Sequence, residues 1–230
     1  MAHRTRSENR NKRHAITIAD LAADRARAQA LTPVSRETGE RLYRFVELLL
    51  NWQRTTNLIA PSTVPHLWTR HIADSLQLLE LAPRAKCWID VGTGAGFPGL
   101  VLACALAETP GALVHLVESN AKKAAFLLEA KRVTDAPADI HGERIEQFVN
   151  RFRGPLEVVT ARALAPLKSL CELCFPLLGK SGAMALFLKG QRAELELGEA
   201  SKLWSMNATL VPSRTDPAGR VVVIRDLVRA

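Results

Sequence analysis

One stretch decides the fold of this 230-residue chain: Asp90-Val91-Gly92-Thr93-Gly94-Ala95-Gly96-Phe97-Pro98-Gly99. It overlaps the end of a short apolar run and leads into a helical pattern at about 99–107. An acidic strand end followed by alternating glycines is typical of the strand-to-helix turn at which open α/β sheets bind ligands. Three alternating glycines exceed what a plain turn requires, so this glycine stretch predicts a ligand site.

The same alternation of strand and helix patterns continues towards the C-terminus, as expected for a parallel sheet covered on both faces. Helical patterns at about 120–133, 143–152, 165–178 and 191–204 separate the strand candidates, which are Cys87–Val91, Leu113–Val117, Ala138–His141, Leu156–Thr160 and Met184–Leu188. Two further strands, Ala208–Val211 and Val221–Arg225, flank a turn-rich segment. The sequence therefore predicts an α/β fold with a seven-stranded, mostly parallel sheet.

The chain before the first strand is predicted to be helical. Apolar residues recur at helical spacing from Leu42 to Leu50. Pro61 is expected to close this segment, and Ser62 offers an N-cap to a further helix. We therefore expect a basic tail at 1–14, a helical N-terminal extension at 15–84 and an α/β domain at 85–230.

Composition limits the class of protein. Apolar residues make up 47% of the chain and charged residues 23%, as in ordinary globular proteins. No apolar run is long enough to span a membrane and no secretory signal is recognisable, so we expect a cytoplasmic protein with four reduced cysteines. Cys171 and Cys174 have C-x-x-C spacing but no second ligand pair, which predicts a core face and no metal site.

The positive charge of the chain is unevenly distributed. The net charge is +8, and half of it lies in the first fourteen residues. A basic tail on a mildly basic body is typical of a polyanion partner, most often nucleic acid. Charge alone leaves open a solvated terminus without a partner or, with less support, an organellar transit peptide.

Two kinds of ligand fit the glycine stretch. Three of its glycines satisfy the G-x-G-x-x-G pattern of a dinucleotide site. Read from Asp90, the stretch also has the D-x-G-x-G-x-G pattern of an S-adenosylmethionine (SAM) site, which places Asp90, Gly92, Gly94 and Gly96 at the cofactor. Charge favours SAM, because an acid at the strand end repels a pyrophosphate but suits the ammonium and sulfonium cations. Either ligand carries a ribose that Glu118, after the next strand, can bind.

The chain resembles the ribosomal RNA small subunit methyltransferase G family, also called glucose-inhibited division protein B. The resemblance extends from about residue 40 to the end and rests on the glycine stretch together with Asn57-Leu58, Arg70-His71-Ile72-Ala73-Asp74-Ser75, Arg144-Ile145-Glu146, Ala161-Arg162-Ala163 and Leu188-Lys189-Gly190. It implies a Rossmann-like, class I SAM-dependent methyltransferase that methylates N7 of a guanine in 16S ribosomal RNA. The implied cofactor is SAM, and the implied partner is 16S rRNA or the small ribosomal subunit.

The resemblance also implies roles for single residues. Gly92 and Phe97 would contact the cofactor from the glycine stretch, and Glu118 would hold its ribose. Ile145 and Glu146 would flank the adenine. These residues would together surround the cofactor along its length.

Two cations are candidates for positioning the substrate. The resemblance places Arg162 at the edge between cofactor and substrate, after Ala161 where many relatives have serine. Arg162 and Lys189 both lie at predicted strand ends, and we expect them to hold the guanine or its phosphates. The alternative for each is a surface cation that pairs with a neighbouring carboxylate. Guanine N7 carries a lone pair and no proton, so no catalytic acid or base is predicted.

A polar cluster precedes the glycine stretch. Arg70, His71 and Asp74 fall on one helical face, where Asp74 is expected to orient His71 and to leave Arg70 for a phosphate. The alternative is a surface salt bridge beside a buried histidine. Two other functions stay open from the residues alone: an NAD-type oxidoreductase using the same glycines, and a non-catalytic RNA-binding module. We expect a monomer with no membrane partner.

Overall fold

A computed structural model describes residues 18–230, except for the side chains of residues 18, 19 and 180. The basic tail predicted at 1–14 lies outside the described residues. The described α-helices are Ile18–Leu31 (α1), Arg36–Gln53 (α2), Asp74–Leu76 (α3), Leu78–Leu81 (α4), Gly99–Leu106 (α5), Ala121–Thr134 (α6), Ile145–Arg151 (α7), Leu167–Ser181 (α8) and Ala193–Ala200 (α9). Among the described helices, none has the length and apolar character needed to cross a bilayer.

Seven strands form one sheet in the order β3-β2-β1-β4-β5-β7-β6. The strands are Cys87–Val91 (β1), Leu113–Val117 (β2), Ala138–His141 (β3), Val158–Arg162 (β4), Met184–Lys189 (β5), Trp204–Pro212 (β6) and Arg220–Arg229 (β7). The first five are parallel, and β7 pairs antiparallel with both β5 and β6. The predicted seven-stranded, mostly parallel sheet is confirmed.

The chain changes direction across the sheet between β1 and β4. From β1 the strands proceed to β2 and β3 on one side, and to β4 and β5 on the other. Such a reversal opens a crevice at the carboxyl ends of the two central strands, which is where ligands bind in open α/β sheets. The glycine stretch leaves β1 at this point.

Both faces of the sheet are covered, which explains why its central strands are almost continuously apolar. On one face Trp88 packs towards α2, α5 and α6, and on the other Ile89 packs towards α7, α8 and α9. Cys171 and Cys174 are free thiols buried in the second core, as the sequence predicts. Burial raises the pKa of Cys171 to about 11, so this thiol stays protonated and unreactive.

Sequence and structure differ most in the bounds of β4, β6 and β7. The helical pattern predicted to reach residue 204 ends at Ala200, and β6 begins at Trp204. The last two strands are also longer than predicted, because they form an edge hairpin whose alternating burial extends past its apolar centre. The fourth strand begins two residues later than predicted and ends at Arg162.

The predicted helix starting at Ser62 is wrong in its form. A 3-10 helix opens at Pro61, and a π-helix, Trp68–Ala73, follows it before α3 and α4. Pro61 therefore starts this segment instead of closing the previous one, and Ser62 makes no capping bond. The buried Asp24 of α1 accepts the Trp68 and Thr69 amides at 2.7 and 3.2 Å, which fixes this irregular start.

Candidate functional site

The glycine stretch is held tightly against the neighbouring strand and helix. The Gly92 and Thr93 amides both donate to the Val117 carbonyl, at 2.9 and 3.1 Å. Gly96 has a φ of 92°, a conformation that favours glycine. A Cβ at Gly99 would lie 2.2 Å from Leu116 Cδ2, so only glycine lets α5 start this close to the sheet. The glycines thus set both the path of the loop and its depth.

Asp90 lies beneath the loop and is fully buried. Its Oδ2 accepts the Gly99 amide at 2.8 Å, and its Oδ1 accepts the Thr160 hydroxyl at 2.8 Å. Burial raises the pKa of Asp90 to about 6, although both hydrogen bonds oppose the rise. The Asp90 carboxylate thus caps α5 and shapes the loop from within, and its contact with a cofactor stays a prediction.

Glu118 lies where the sequence predicts an acid, one residue beyond β2. It is 9% exposed; its Oε2 accepts the Gly94 amide at 2.9 Å and its Oε1 accepts the Asn120 amide at 2.7 Å. A carboxylate has about four acceptor positions, so each oxygen retains capacity for a further donor. Glu118 is thus fixed by the loop beside it and can still accept two ribose hydroxyls.

These two acids provide a test of which cofactor fits. A dinucleotide places its pyrophosphate at the helix N-terminus after the glycines. Here that N-terminus already carries the Asp90 carboxylate, and Glu118 adds a second acid beside the loop. Two acids and an open backbone at Gly94, where a Cβ would meet nothing closer than 3.9 Å, fit the cationic SAM.

The residues expected at the adenine follow the next strand. The Glu118 amide donates to the His141 carbonyl at 3.0 Å, so the segment after β3 starts beside Glu118. Ile145 is half-buried at the start of α7, and Glu146 is exposed in its first turn. The structure therefore brings this segment to the same edge of the sheet as the predicted ribose site.

Phe97 does not point its ring towards the open side of the loop. The ring is 6% exposed and packs against Phe45 and His71, with centroids 5.4 and 4.8 Å apart. The contact implied for Phe97 can then involve only its backbone. Its ring instead anchors the glycine stretch to the N-terminal helices.

A cavity of about 600 Å³ lies beside the glycine stretch, at the carboxyl ends of β4 and β5. Its lining includes Arg70, Asp74, Arg162, Lys189, Thr215 and Arg220. The glycine stretch itself does not line this cavity. The polar cavity is therefore distinct from the cofactor site predicted at the glycine stretch.

Arg162 lines the cavity but is already bound to the protein. Its Nη1 lies 2.9 Å from His71 Nδ1, its Nη2 donates to the Arg70 carbonyl at 2.9 Å, and its Nε lies 3.4 Å from Asp74 Oδ2. Arg162 is thus paired with a carboxylate, and because it also lines the cavity, its contact with cofactor or substrate stays a prediction. Arg162 joins the end of β4 to the π-helix, and Asp74 pairs with Arg162 instead of orienting His71.

His71 is a buried, neutral imidazole. Arginine can only donate, so His71 Nδ1 accepts from Arg162, and the ring proton lies on Nε2, 3.0 Å from Thr63 Oγ1. Burial, followed by the charges of Arg162 and Arg70, lowers the pKa of His71 to about 3. His71 thus positions Arg162 and is not among the residues that line the cavity, and its role in positioning the substrate stays a prediction.

Lys189 is also engaged. Its Nζ donates to the Ala165 carbonyl at 2.8 Å and lies 2.6 Å from Glu196 Oε2, which also accepts the Leu167 amide at 2.8 Å. This network fixes the start of α8, and because Lys189 also lines the cavity, its contact with the guanine stays a prediction. Arg70 differs, because its exposed side chain has no acceptor within the described part of the chain.

Sequence reasoning missed the turn between β6 and β7 as part of the site. Thr215 donates to Asp74 Oδ1 at 2.7 Å, and Ser213 lies 3.4 Å from the same atom. No local motif marks this turn. The signal lies in the topology, because inserting β7 beside β5 brings the turn to the carboxyl ends of the parallel strands.

Two solved structures have a similar fold. A putative O-methyltransferase from Klebsiella pneumoniae has a TM-score of 0.57 at 13% identity, covering 89% of this chain and 96% of that one. An O-methyltransferase from Bacillus cereus, in complex with SAH, has a TM-score of 0.56 at 16% identity, covering 89% and 97%. Both structures show that this chain has the Rossmann-like fold of class I methyltransferases.

Sequence comparison then identifies the family. The family model described as rRNA small subunit methyltransferase G matches residues 38–218, and the chain belongs to this family. A relative from a Bradyrhizobium species, named ribosomal RNA small subunit methyltransferase G, is 62% identical, covering 89% of this chain and 91% of its own. One of the same name from Nitrobacter hamburgensis is 58% identical, covering 90% and 80%. The resemblance seen in the sequence is confirmed, and SAM replaces the dinucleotide alternative.

Proposed function

We propose that this chain transfers the methyl group of SAM to N7 of a guanine in 16S rRNA, as an enzyme of the guanine 527 type. The names of its relatives, which refer to the small-subunit ribosomal RNA, support the substrate class. Such a substrate would place the protein in the cytoplasm.

The proposed cofactor site runs along the carboxyl ends of β1, β2 and β3. Gly92, Gly94 and Gly96 offer their backbone, and Glu118 offers acceptors for the ribose hydroxyls. Ile145 and Glu146, at the start of α7, are proposed to flank the adenine. Bound SAM supplies an electrophilic methyl group on a sulfonium.

The state of three titratable groups at or beside the cavity, whose lining also includes His66 and Asp216, supports the proposal for N7. Asp74 and Glu196 are paired with Arg162 and Lys189, and His71 is neutral with both ring nitrogens engaged. None of these three groups is available as a general base. An exocyclic amine or a hydroxyl would have to lose a proton, whereas guanine N7 attacks with an existing lone pair.

The chain's contribution to rate is then mainly positioning. Holding a nucleophile in line with the transferred group at near-attack distance is worth up to about 7–11 kcal/mol in favourable systems. The glycine stretch follows β1 and Arg162 ends β4, and these two strands are neighbours in the sheet, which supports an in-line arrangement of cofactor and substrate. A cavity of about 600 Å³ is within the usual range for small-molecule sites and suits a nucleotide turned out of its stack.

Arg70 is the proposed phosphate contact of the cavity. It is exposed, and the described chain provides no acceptor for its guanidinium, in contrast to Arg162 and Lys189. A guanidinium presents several donors in a planar fork that matches a phosphate. Arg70 is thus positioned to hold the RNA backbone, while Arg162 and Lys189, which are paired within the protein, form part of the cavity wall.

The experiment identifies the methylated nucleoside. The full chain is incubated with methyl-labelled SAM and either small subunits that lack the modification or naked 16S RNA, and the product is digested to nucleosides. We expect the label in 7-methylguanosine. Label in a different methylated nucleoside would overturn the assignment to N7, and the absence of label in both substrates would overturn the rRNA substrate.

A further inference from the structure

Three side chains with metal-binding atoms converge where β2 pairs with the edge strand β3. His115 lies on β2 and pairs in register with Asp139, and His141 lies two residues further along β3. Alternate residues of a strand share a face, so all three side chains project from the same side of the sheet. His115 and His141 are 26 residues apart, so no local sequence motif reveals the cluster.

The spacing of the three groups matches a metal coordination shell. His115 Nδ1 lies 3.0 Å from His141 Nε2, and Asp139 Oδ2 lies 3.8 and 3.5 Å from these two nitrogens. Metal–ligand bonds of about 2.0–2.2 Å in a tetrahedral zinc site separate the ligand atoms by roughly 3.3–3.6 Å. The three atoms therefore surround one point at bonding distance with little movement.

Neighbouring phenylalanine rings hold the two imidazole rings in place, and the cluster is open to solvent on one side. The His141 ring packs on Phe148 and the His115 ring on Phe152, with centroids 4.5 and 5.0 Å apart. Both imidazole side chains are mostly buried, whereas Asp139 is half-exposed and opens the cluster to solvent.

We propose that His115, Asp139 and His141 bind one divalent transition metal of the zinc class, with a fourth position left to water. Two imidazoles and one carboxylate are a common ligand set for such ions. The metal would clamp the edge strand to its neighbour. Because the Glu118 amide donates to the His141 carbonyl, the clamp would also steady the proposed ribose site. The proposal does not depend on methyl transfer.

The test measures metal uptake directly, on the full chain without an affinity tag and after treatment with a chelator. Zn²⁺ is titrated by calorimetry, and Co²⁺ serves as a spectroscopic probe of ligand geometry. We compare Asp139→Asn and His141→Gln with two matched controls: Asp135→Asn, an exposed aspartate preceding β3, and His66→Gln, an exposed histidine elsewhere.

We expect one Zn²⁺ per chain, bound at least tenfold more weakly by Asp139→Asn and His141→Gln and equally well by both controls. The cobalt form should show four- or five-coordinate bands without thiolate charge transfer. If the wild type takes up no Zn²⁺, or if Asp139→Asn and His141→Gln both bind Zn²⁺ as tightly as the wild type, the proposal is wrong. The second outcome would place the metal on thiols or on other histidines.

Thermal unfolding separates a lost ligand from a lost fold. Zn²⁺ should raise the Tm of wild type but not that of Asp139→Asn, while the two chelated proteins melt at similar temperatures because Asp139 is half-exposed. An equal Zn²⁺-induced rise in Asp139→Asn would contradict the site even if His141→Gln fails to fold. These readouts require neither SAM nor RNA, so failure of the proposed methyl transfer would not affect them.

Discussion

Arg162 Nη1 lies 2.9 Å from Nδ1 of His71, and this contact joins the end of β4 to the π-helix. A guanidinium only donates, so the contact also determines which tautomer His71 adopts. Two residues that the sequence indicates as substrate contacts thus bind each other. The neighbouring Arg70, whose carbonyl accepts from Arg162, keeps its own side chain for a ligand.

The stability of the protein should depend on the protonation of His71. The pKa of His71 is about 3 when folded and 6.5 when unfolded, so its contribution is complete above pH 6.5 and is lost as the pH falls towards 3. Between pH 6 and 4, the protonation of His71 should lower the free energy of unfolding of the wild type by about 1.4 kcal/mol per pH unit. We expect His71→Gln to lack this pH-dependent loss of stability, as measured by urea unfolding at several pH values. Parallel curves for the two proteins would contradict a buried, neutral His71.

Arg162 and Arg70 should differ in what their loss affects. Arg162→Gln should lower the free energy of unfolding by about 2–3 kcal/mol, because it removes charged hydrogen bonds from a mostly buried group. Arg70→Gln should leave unfolding unchanged, raise the KM for RNA and reduce the salt slope of RNA binding by roughly 0.7–0.9. Arg132→Gln, an exposed arginine on α6, is the control. Equal RNA affinity in Arg70→Gln and the control would exclude the phosphate contact.

Glu118 should control cofactor affinity. Glu118→Gln weakens the acceptors offered to the ribose and to the Gly94 amide, and losing charged hydrogen bonds costs about 1.5–3 kcal/mol. SAM should therefore bind roughly 10- to 150-fold more weakly in calorimetry. Glu199→Gln, an exposed acid on α9, should bind SAM like wild type. An unchanged dissociation constant in Glu118→Gln would remove Glu118 from the cofactor site.

Two glycine-to-alanine substitutions should have opposite effects on stability. A Cβ at Gly99 would lie 2.2 Å from Leu116 Cδ2 and 2.7 Å from Asp90 Oδ2, so Gly99→Ala should cost about 1–3 kcal/mol. Gly198 is in α9 with nothing within 4 Å of its Cβ position, so Gly198→Ala should stabilise by about 0.5–1 kcal/mol. Urea unfolding measures both. Equal effects would show that α5 does not start against the sheet as described.

The sequence predicts correctly the features that depend on consecutive residues. The bounds of β1, β2 and β3, the glycine turn and an acid after the second strand follow from local pattern, because β1 and β2 are adjacent in the chain and in the sheet. The contacts that the sequence does not predict are those between residues distant in the chain. Arg162 meets His71 across 91 residues, and side-chain pairing at that separation depends on how helices lie over the sheet. The cluster of His115, Asp139 and His141 on β2 and β3 was not predicted from the sequence for the same reason.

The central claim concerns which atom of which nucleotide receives the methyl group. The direct measurement is mass spectrometry of 16S RNA fragments after incubation of small subunits with the full chain and SAM, with Glu118→Gln as the control. We predict one added methyl group, on N7 of a single guanine, strongly reduced with the variant. Unmethylated guanine throughout the 16S RNA, or a methyl group on any other atom, would contradict the account.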